Sequence, residues 1–131
     1  MGEAKPRILL VDDEPSIVKM IGTRLEVEGY DVLVAVDGQE ALDKATTQTP
    51  DLIILDLMLP KLNGFEVCSR LKHDQQARQI PIIIFTGKGN EEDEQRCRES
   101  GADAFLSKAA GKGILMEQVK MLLNQRQSSS G

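Results

Sequence analysis

Tryptophan is absent from this chain of 131 residues, and aromatic side chains make up only 3% of it. Its core must therefore be aliphatic, and with 40% hydrophobic residues there is enough material for one. Positive charge is also in short supply: 16 Lys and Arg stand against 21 Asp and Glu, a net charge of -5. That deficit argues against a nucleic-acid-binding module, which carries a basic patch, and leaves room for a cation-binding site. Cys68 and Cys97 are the two cysteines, and their spacing suits neither a metal site nor a disulfide framework. A reduced, cytoplasmic setting is the expectation. No apolar run approaches the roughly 18 residues of a membrane span, and the stretch from Met1 to Arg7 lacks a signal-peptide core. The length suits one domain, expected over residues 1–126, with the polar, Ser-rich 127–131 as a disordered tail or the start of a linker.

What is present is organised around Leu52-Ile53-Ile54-Leu55-Asp56, four apolar residues running into a carboxylate, with Pro60 closing the segment. A short continuous apolar run suits a strand buried on both faces, as in a parallel sheet. Ligands of open parallel sheets sit in the crevice at the carboxyl ends of the strands, where Asp56 would fall. Taken alone, Asp56 reads equally well as a turn residue. The same pattern opens the chain, with Arg7 to Val11 running into Asp12-Asp13-Glu14, followed by Pro15, which is well placed in the first turn of a helix. Ile17, Val18, Ile21 and Leu25 continue at helical spacing up to Gly29.

Asp31 to Val36 reads as a strand, and Asp37 with Glu40 as a capping box for the helix through Ala41, Leu42 and Ala45. Asn63-Gly64 leads into a helix bearing Phe65, Cys68 and Leu71, and His73 to Gln79 is a polar loop. Ile82 to Phe85 forms a further apolar run ending at Thr86-Gly87. Asn90 and Asp93 start a helix whose only notable apolar side chain is Cys97, so it has little to anchor it. Ala102 to Ser107 is a last strand before Lys108, and Leu115, Val119 and Leu122 mark a final amphipathic helix. Five strand–helix alternations predict an α/β domain with a doubly wound parallel sheet and helices on both faces.

Asp12 and Asp13, Asp56, Thr86 and Lys108 all follow directly on apolar strands. Each has an ordinary explanation: helix N-terminal charge for the acids, a solvated lysine, a strand-end hydroxyl. Their arrival together and in order is what matters. With Pro60, Gly64 and the stretches Phe85-Thr86-Gly87 and Phe105-Leu106-Ser107-Lys108, the chain resembles the receiver domain of two-component response regulators over about Ile8 to Leu123. The resemblance implies a flavodoxin-like fold of strand order 2-1-3-4-5. It also implies Asp56 as phosphoacceptor, Thr86 and Lys108 as contacts to the phosphoryl oxygens, and Thr86 and Phe105 as switch residues.

Three crowded carboxylates raise one another's pKa unless a cation joins them. A hard divalent ion held by oxygen is the expected solution, here Mg²⁺ on Asp12, Asp13 and Asp56. The resemblance adds the backbone carbonyl of Met58 to that set. It further implies a histidine kinase or phosphotransfer protein as donor and an output domain or effector as receiver of the signal. No nucleic acid, no membrane and no catalytic role beyond its own phosphoryl transfer and slow autodephosphorylation are expected of the domain, and a phosphorylation-dependent dimer is compatible with it.

Two departures stand out. The family usually has proline after the lysine, in a cis bond; Ala109 stands here, and a cis bond before a non-proline residue costs about 3–4 kcal/mol, so a trans bond is expected. Phe105 occupies a position often held by tyrosine and brings no hydroxyl. Rival readings are a degenerate receiver acting as an unphosphorylated binding module, and a haloacid-dehalogenase-type phosphatase. The second expects an acid two residues after the nucleophile, where this chain has Met58.

Overall fold

In a computed structural model, which describes residues 5–87 and 89–130, the strands are β1 (Arg7–Val11), β2 (Asp31–Ala35), β3 (Leu52–Leu55), β4 (Ile82–Thr86) and β5 (Ala104–Ser107). All neighbours pair in parallel, in the order β2-β1-β3-β4-β5. The helices are α1 (Pro15–Val27), α2 (Gly38–Gln48), α3 (Gly64–Lys72), α4 (Glu91–Glu99) and α5 (Lys112–Ser130), with one 3-10 turn over Lys108–Ala110.

Side chains alternate across a strand, so each apolar run feeds two cores. Leu9, Val11, Ile53, Leu55, Ile82 and Ile84 face α2, α3 and α4, where Ala41, Ala45, Val67, Leu71 and Cys97 meet them. Ile8, Leu10, Leu52, Ile54, Ile83 and Phe85 face α1 and α5, packing on Ile21, Leu25, Leu115, Met116 and Val119. That double coverage is why β1, β3 and β4 are apolar at nearly every position. Cys68 and Cys97 are buried as free thiols. Burial, the largest influence on each, pushes Cys68 up to about 11 and Cys97 up to about 12, so both stay protonated at neutral pH.

Several boundaries differ from the sequence expectations. β2 stops at Ala35 because the Val36 amide is taken by the Glu40 carboxylate at 2.8 Å. The same bond makes the start of α2 something other than a closed capping box: Asp37 accepts from the Glu40 amide, while Glu40 reaches back one residue past the cap. A closed box does form at α4, between Asn90 and Asp93. β5 begins at Ala104, since the Ala102 amide is spent on the Cys97 carbonyl that ends α4. In α5 the buried positions are Leu115, Met116, Val119 and Leu123, with Leu122 only partly covered. Its backbone continues to Ser130, past the expected start of a disordered tail; neither proline nor glycine interrupts the chain between Gly113 and Ser130. Gly131 lies outside the described residues.

α4 is the weakly held element. Cys97 is its one buried side chain, helped by Arg96, whose guanidinium sits 3.9 Å from the Phe65 ring centroid on α3. Such an exposed cation–π contact contributes about 0.5–1 kcal/mol. Among the described residues no helix is long and apolar enough to cross a membrane.

Candidate phosphoryl-transfer site

Register decides what meets at the carboxyl edge of the sheet. Val11 pairs with Leu55, so β1 and β3 end level and the next residues, Asp12 and Asp56, lie side by side. Each is fixed by its own backbone: the Asp12 amide donates to Ala35 O at 3.1 Å and the Asp56 amide to Val11 O at 3.0 Å. On the other flank Thr86 pairs with Ser107, which sets Lys108 at the same edge. The Lys108–Ala109 bond is trans, as is every peptide bond among the described residues. In place of a proline turn, the Ser107 hydroxyl accepts from the Ala109 amide at 3.1 Å and caps the 3-10 turn, and Gly111, at φ 93°, redirects the chain into α5.

Asp12 and Asp56 are 2% and 4% exposed, Thr86 1%. One carboxylate oxygen from each of Asp12, Asp13 and Asp56 lies within 4.8 Å of the other two, Asp13 from the exposed side. The Lys108 ammonium sits among acids, 2.7 Å from Asp12 Oδ2, 3.3 Å from Asp56 Oδ2 and 3.3 Å from Glu14 Oε1. The remaining oxygens are occupied too: Asp12 Oδ1 accepts from the Glu14 amide at 2.9 Å and Asp56 Oδ1 from the Met58 amide at 3.4 Å.

Burial is the main reason the Asp56 pKa is raised, with Asp12 adding to it and Lys108 opposing it. Burial acts on Lys108 in the opposite direction, yet its hydrogen bond to Asp12 and the charge of Asp56 outweigh that and raise its pKa, so it stays an ammonium. Among the described residues one lysine faces this many acids, which leaves their cluster short of positive charge. The donors are all oxygen and partly open to solvent, which fits a hard divalent cation that retains water.

Glu14, Asp56, Met58, Thr86, Gly87 and Lys108 line a cleft of about 320 Å³ over this cluster. The Met58 side chain is 63% exposed at its mouth. Phe105 is half-buried against Gly89: a Cβ at Gly89 would collide with the ring edge and come within 3.2 Å of Thr86 Cγ2. The sequence expectations thus meet in one place, with Asp12, Asp13, Asp56, Thr86 and Lys108 at one sheet edge and Phe105 one strand away. Glu14 also lines this cleft, and the sequence does not single it out. It follows Asp12-Asp13 directly, but only the fold shows its side chain turned towards Lys108.

The receiver-domain profile, described as "Response regulator receiver domain", matches residues 8–120. This chain belongs to the response regulator receiver family. It is 47% identical over 119 residues to the alkaline phosphatase synthesis transcriptional regulatory protein PhoP of Bacillus subtilis, covering 91% of this chain and 49% of that protein. To the DNA-binding dual master transcriptional regulator RpaA of Synechocystis it is 42% identical over 120 residues, 92% of this chain and 50% of that one. The receiver thus spans about half the length of these relatives.

Among solved structures, a CheY-like receiver domain protein from Methanospirillum hungatei superposes with a TM-score of 0.90 at 28% identity, covering 96% and 99% of the two chains. The receiver domain of the sensor histidine kinase PA1611 from Pseudomonas aeruginosa, with a magnesium ion coordinated in its active-site cleft, gives 0.85 at 29% identity over 92% and 99%. The five-stranded order matches that of this fold, and the phosphoacceptor role is standard for the family. Neither the phosphatase nor the unphosphorylated-module reading finds support: an exposed methionine stands where the phosphatase's second acid belongs, and the receiver's charged groups are all in place.

Proposed function

We propose that this receiver accepts a phosphoryl group on Asp56 and holds Mg²⁺ through Asp12, Asp13, Asp56 and the backbone carbonyl of Met58. The observation that carries the reading is the level ending of β1 and β3, which buries Asp12 and Asp56 side by side against the Lys108 ammonium. When bound, the cation neutralises the crowded carboxylates and the transferring phosphoryl oxygens. An Asp56 oxygen forms the bond to phosphorus as the donor's bond to phosphorus breaks and its leaving group departs with that electron pair. Lys108 and Thr86 border the same cleft, and in this reading their ammonium and hydroxyl receive the other phosphoryl oxygens, where negative charge gathers.

The donor is a phosphohistidine of a sensor kinase or phosphotransfer protein in the cytoplasm. The recipient of the signal is an output domain or a separate effector, and the receiver itself contacts neither nucleic acid nor membrane. Residues 1–126 are the receiver unit in this reading, with 127–131 as its tail or the start of a linker. Incubation with acetyl phosphate or phosphoramidate and Mg²⁺ should add one phosphoryl group, found by mass spectrometry on the peptide carrying Asp56. Chelation should abolish the labelling. Labelling that persists in EDTA, or lies on another peptide, would overturn the assignment.

Phosphorylation adds about -1.5 to -2 of charge and new acceptor oxygens beside Thr86. Thr86 is drawn towards them, Phe105 moves into the space released, and the surface of α4, β5 and α5 changes with it. Because α4 buries only Cys97, its amides are expected to exchange fastest of the helices and to respond most to beryllofluoride. Hydrogen exchange over Glu91–Glu99 with and without beryllofluoride measures this, and equal protection in the two states would count against the switch.

A further inference from the structure

We propose that Glu14 is a positioning residue of this site: its carboxylate keeps the Lys108 ammonium at the cleft once Asp12 and Asp56 are engaged by a cation. The proposal rests on the reading of Asp12 and Asp56 as cation ligands. Lys108 has three acidic partners among the described residues, and they are not equivalent. Asp12 and Asp56 are buried and belong to the convergent group of carboxylates, whereas Glu14 is 59% exposed and stands outside that group.

A cation on the convergent group removes the attraction of two partners at once and adds a repulsion of its own. Glu14 is then the acid still within reach, 3.3 Å from Nζ. Without it, a flexible four-carbon stem carries the ammonium out towards bulk water, and it must be recovered before it can meet a phosphoryl oxygen.

Local structure supports a dedicated role. Glu14 is the N-cap residue of α1, yet its side chain makes no capping hydrogen bond, and Pro15 at the first helical position leaves one amide fewer to cap. Its backbone amide is tied to Asp12 Oδ1, which fixes the residue beside the cluster while its side chain spans to Lys108. The contact joins residues 94 apart in sequence, from the start of α1 to the end of β5. Gly87 lies against the lysine stem, with its would-be Cβ 3.8 Å from Lys108 Cδ.

The test is the rate of reductive methylation of Lys108, followed by peptide mass spectrometry with exposed Lys19 as internal reference, in EDTA and in saturating Mg²⁺. In EDTA, Lys108 should be equally protected in the parent and in Glu14→Gln, because Asp12 and Asp56 hold it. In Mg²⁺ the parent should stay protected, while Glu14→Gln reacts about twofold to fivefold faster, the range an exposed ion pair supports. Glu14→Asp should return towards the parent rate.

A variant no faster than the parent in Mg²⁺ would overturn the proposal. So would an equal acceleration in EDTA, which would make Glu14 a general shield with no part in a handover. Labelling of Asp56 in the parent is measured on the same samples. If the parent is phosphorylated and Lys108 reactivity ignores Glu14, only this inference falls; if the parent takes no phosphoryl group, the functional reading falls instead.

Discussion

Asp56→Asn is expected to lose phosphoryl labelling altogether while keeping the fold, and to melt no lower than the parent when metal is absent. The first half follows from position: Asp56 ends a central strand, is 4% exposed, and opens onto the cleft through the oxygen that faces Lys108. An amide at that place keeps the shape and can still accept from the Met58 amide, but it cannot act as the carboxylate nucleophile. Undiminished labelling of the variant would put the nucleophile elsewhere in the cluster.

The second half follows from linkage. The Asp56 pKa is raised, chiefly by burial, above its ordinary value of 3.8. The native state therefore binds the proton more tightly than the unfolded state does, and the ionised group is a net cost at neutral pH. That cost is fully present above the raised native value and disappears as pH falls to the ordinary carboxylate value. Asn removes it, so any advantage of the variant should be largest near pH 7 and shrink towards pH 4. Thermal melts in EDTA at the two pH values read this directly. A parent that melts well above the variant at pH 7 would show that the Lys108 pair outweighs burial.

Gly64→Ala is expected to damage both the fold and the site. Gly64 opens α3 with its amide donating to Leu57 O at 2.9 Å, so the helix start is clamped onto the loop that follows Asp56. A Cβ there would sit 2.6 Å from Asp56 O and 2.7 Å from Leu57 Cα, backbone atoms that cannot swing aside. Relief requires moving either α3 or the strand end, and overpacking of this kind costs about 1–3 kcal/mol, at the upper end when backbone must shift. A fall in melting temperature of about 5–10 °C is expected, with slower labelling of Asp56 beyond what the folded fraction explains. Gly22→Ala provides the contrast. A Cβ at Gly22, within α1, meets nothing within 4 Å, so replacing a helical glycine should stabilise by about 0.5–1 kcal/mol. If both variants melt alike, close approach at Gly64 is not what holds the β3–α3 loop.

Much of this protein is legible in the linear chain. Apolar runs of four or five residues are needed wherever a strand is covered on both faces, so β1, β3 and β4 announce themselves, and the polar residue after each run marks the edge where ligands bind. Helix starts are equally local: Asp37, Asn63 and Asn90 each accept from the amide three residues on, and Pro15 presets the first turn of α1, so these starts are written in the spacing.

Strand order is another matter. Periodicity says that parallel strands exist but not which is next to which; the family resemblance implies the order, and the strand pairing shows it. Sheet pairing also decided that β1 and β3 end level, and without that register Asp12 and Asp56 would not share one ammonium. Glu14 shows the limit most clearly. In the sequence it is one more acid at a helix start, and its role emerges only because β5 delivers Lys108 to it from 94 residues away. Backbone periodicity and capping are short-range and survive in the sequence as patterns. Charge sharing across strand ends depends on which ends the packed sheet brings level, and that is settled only when the whole core forms.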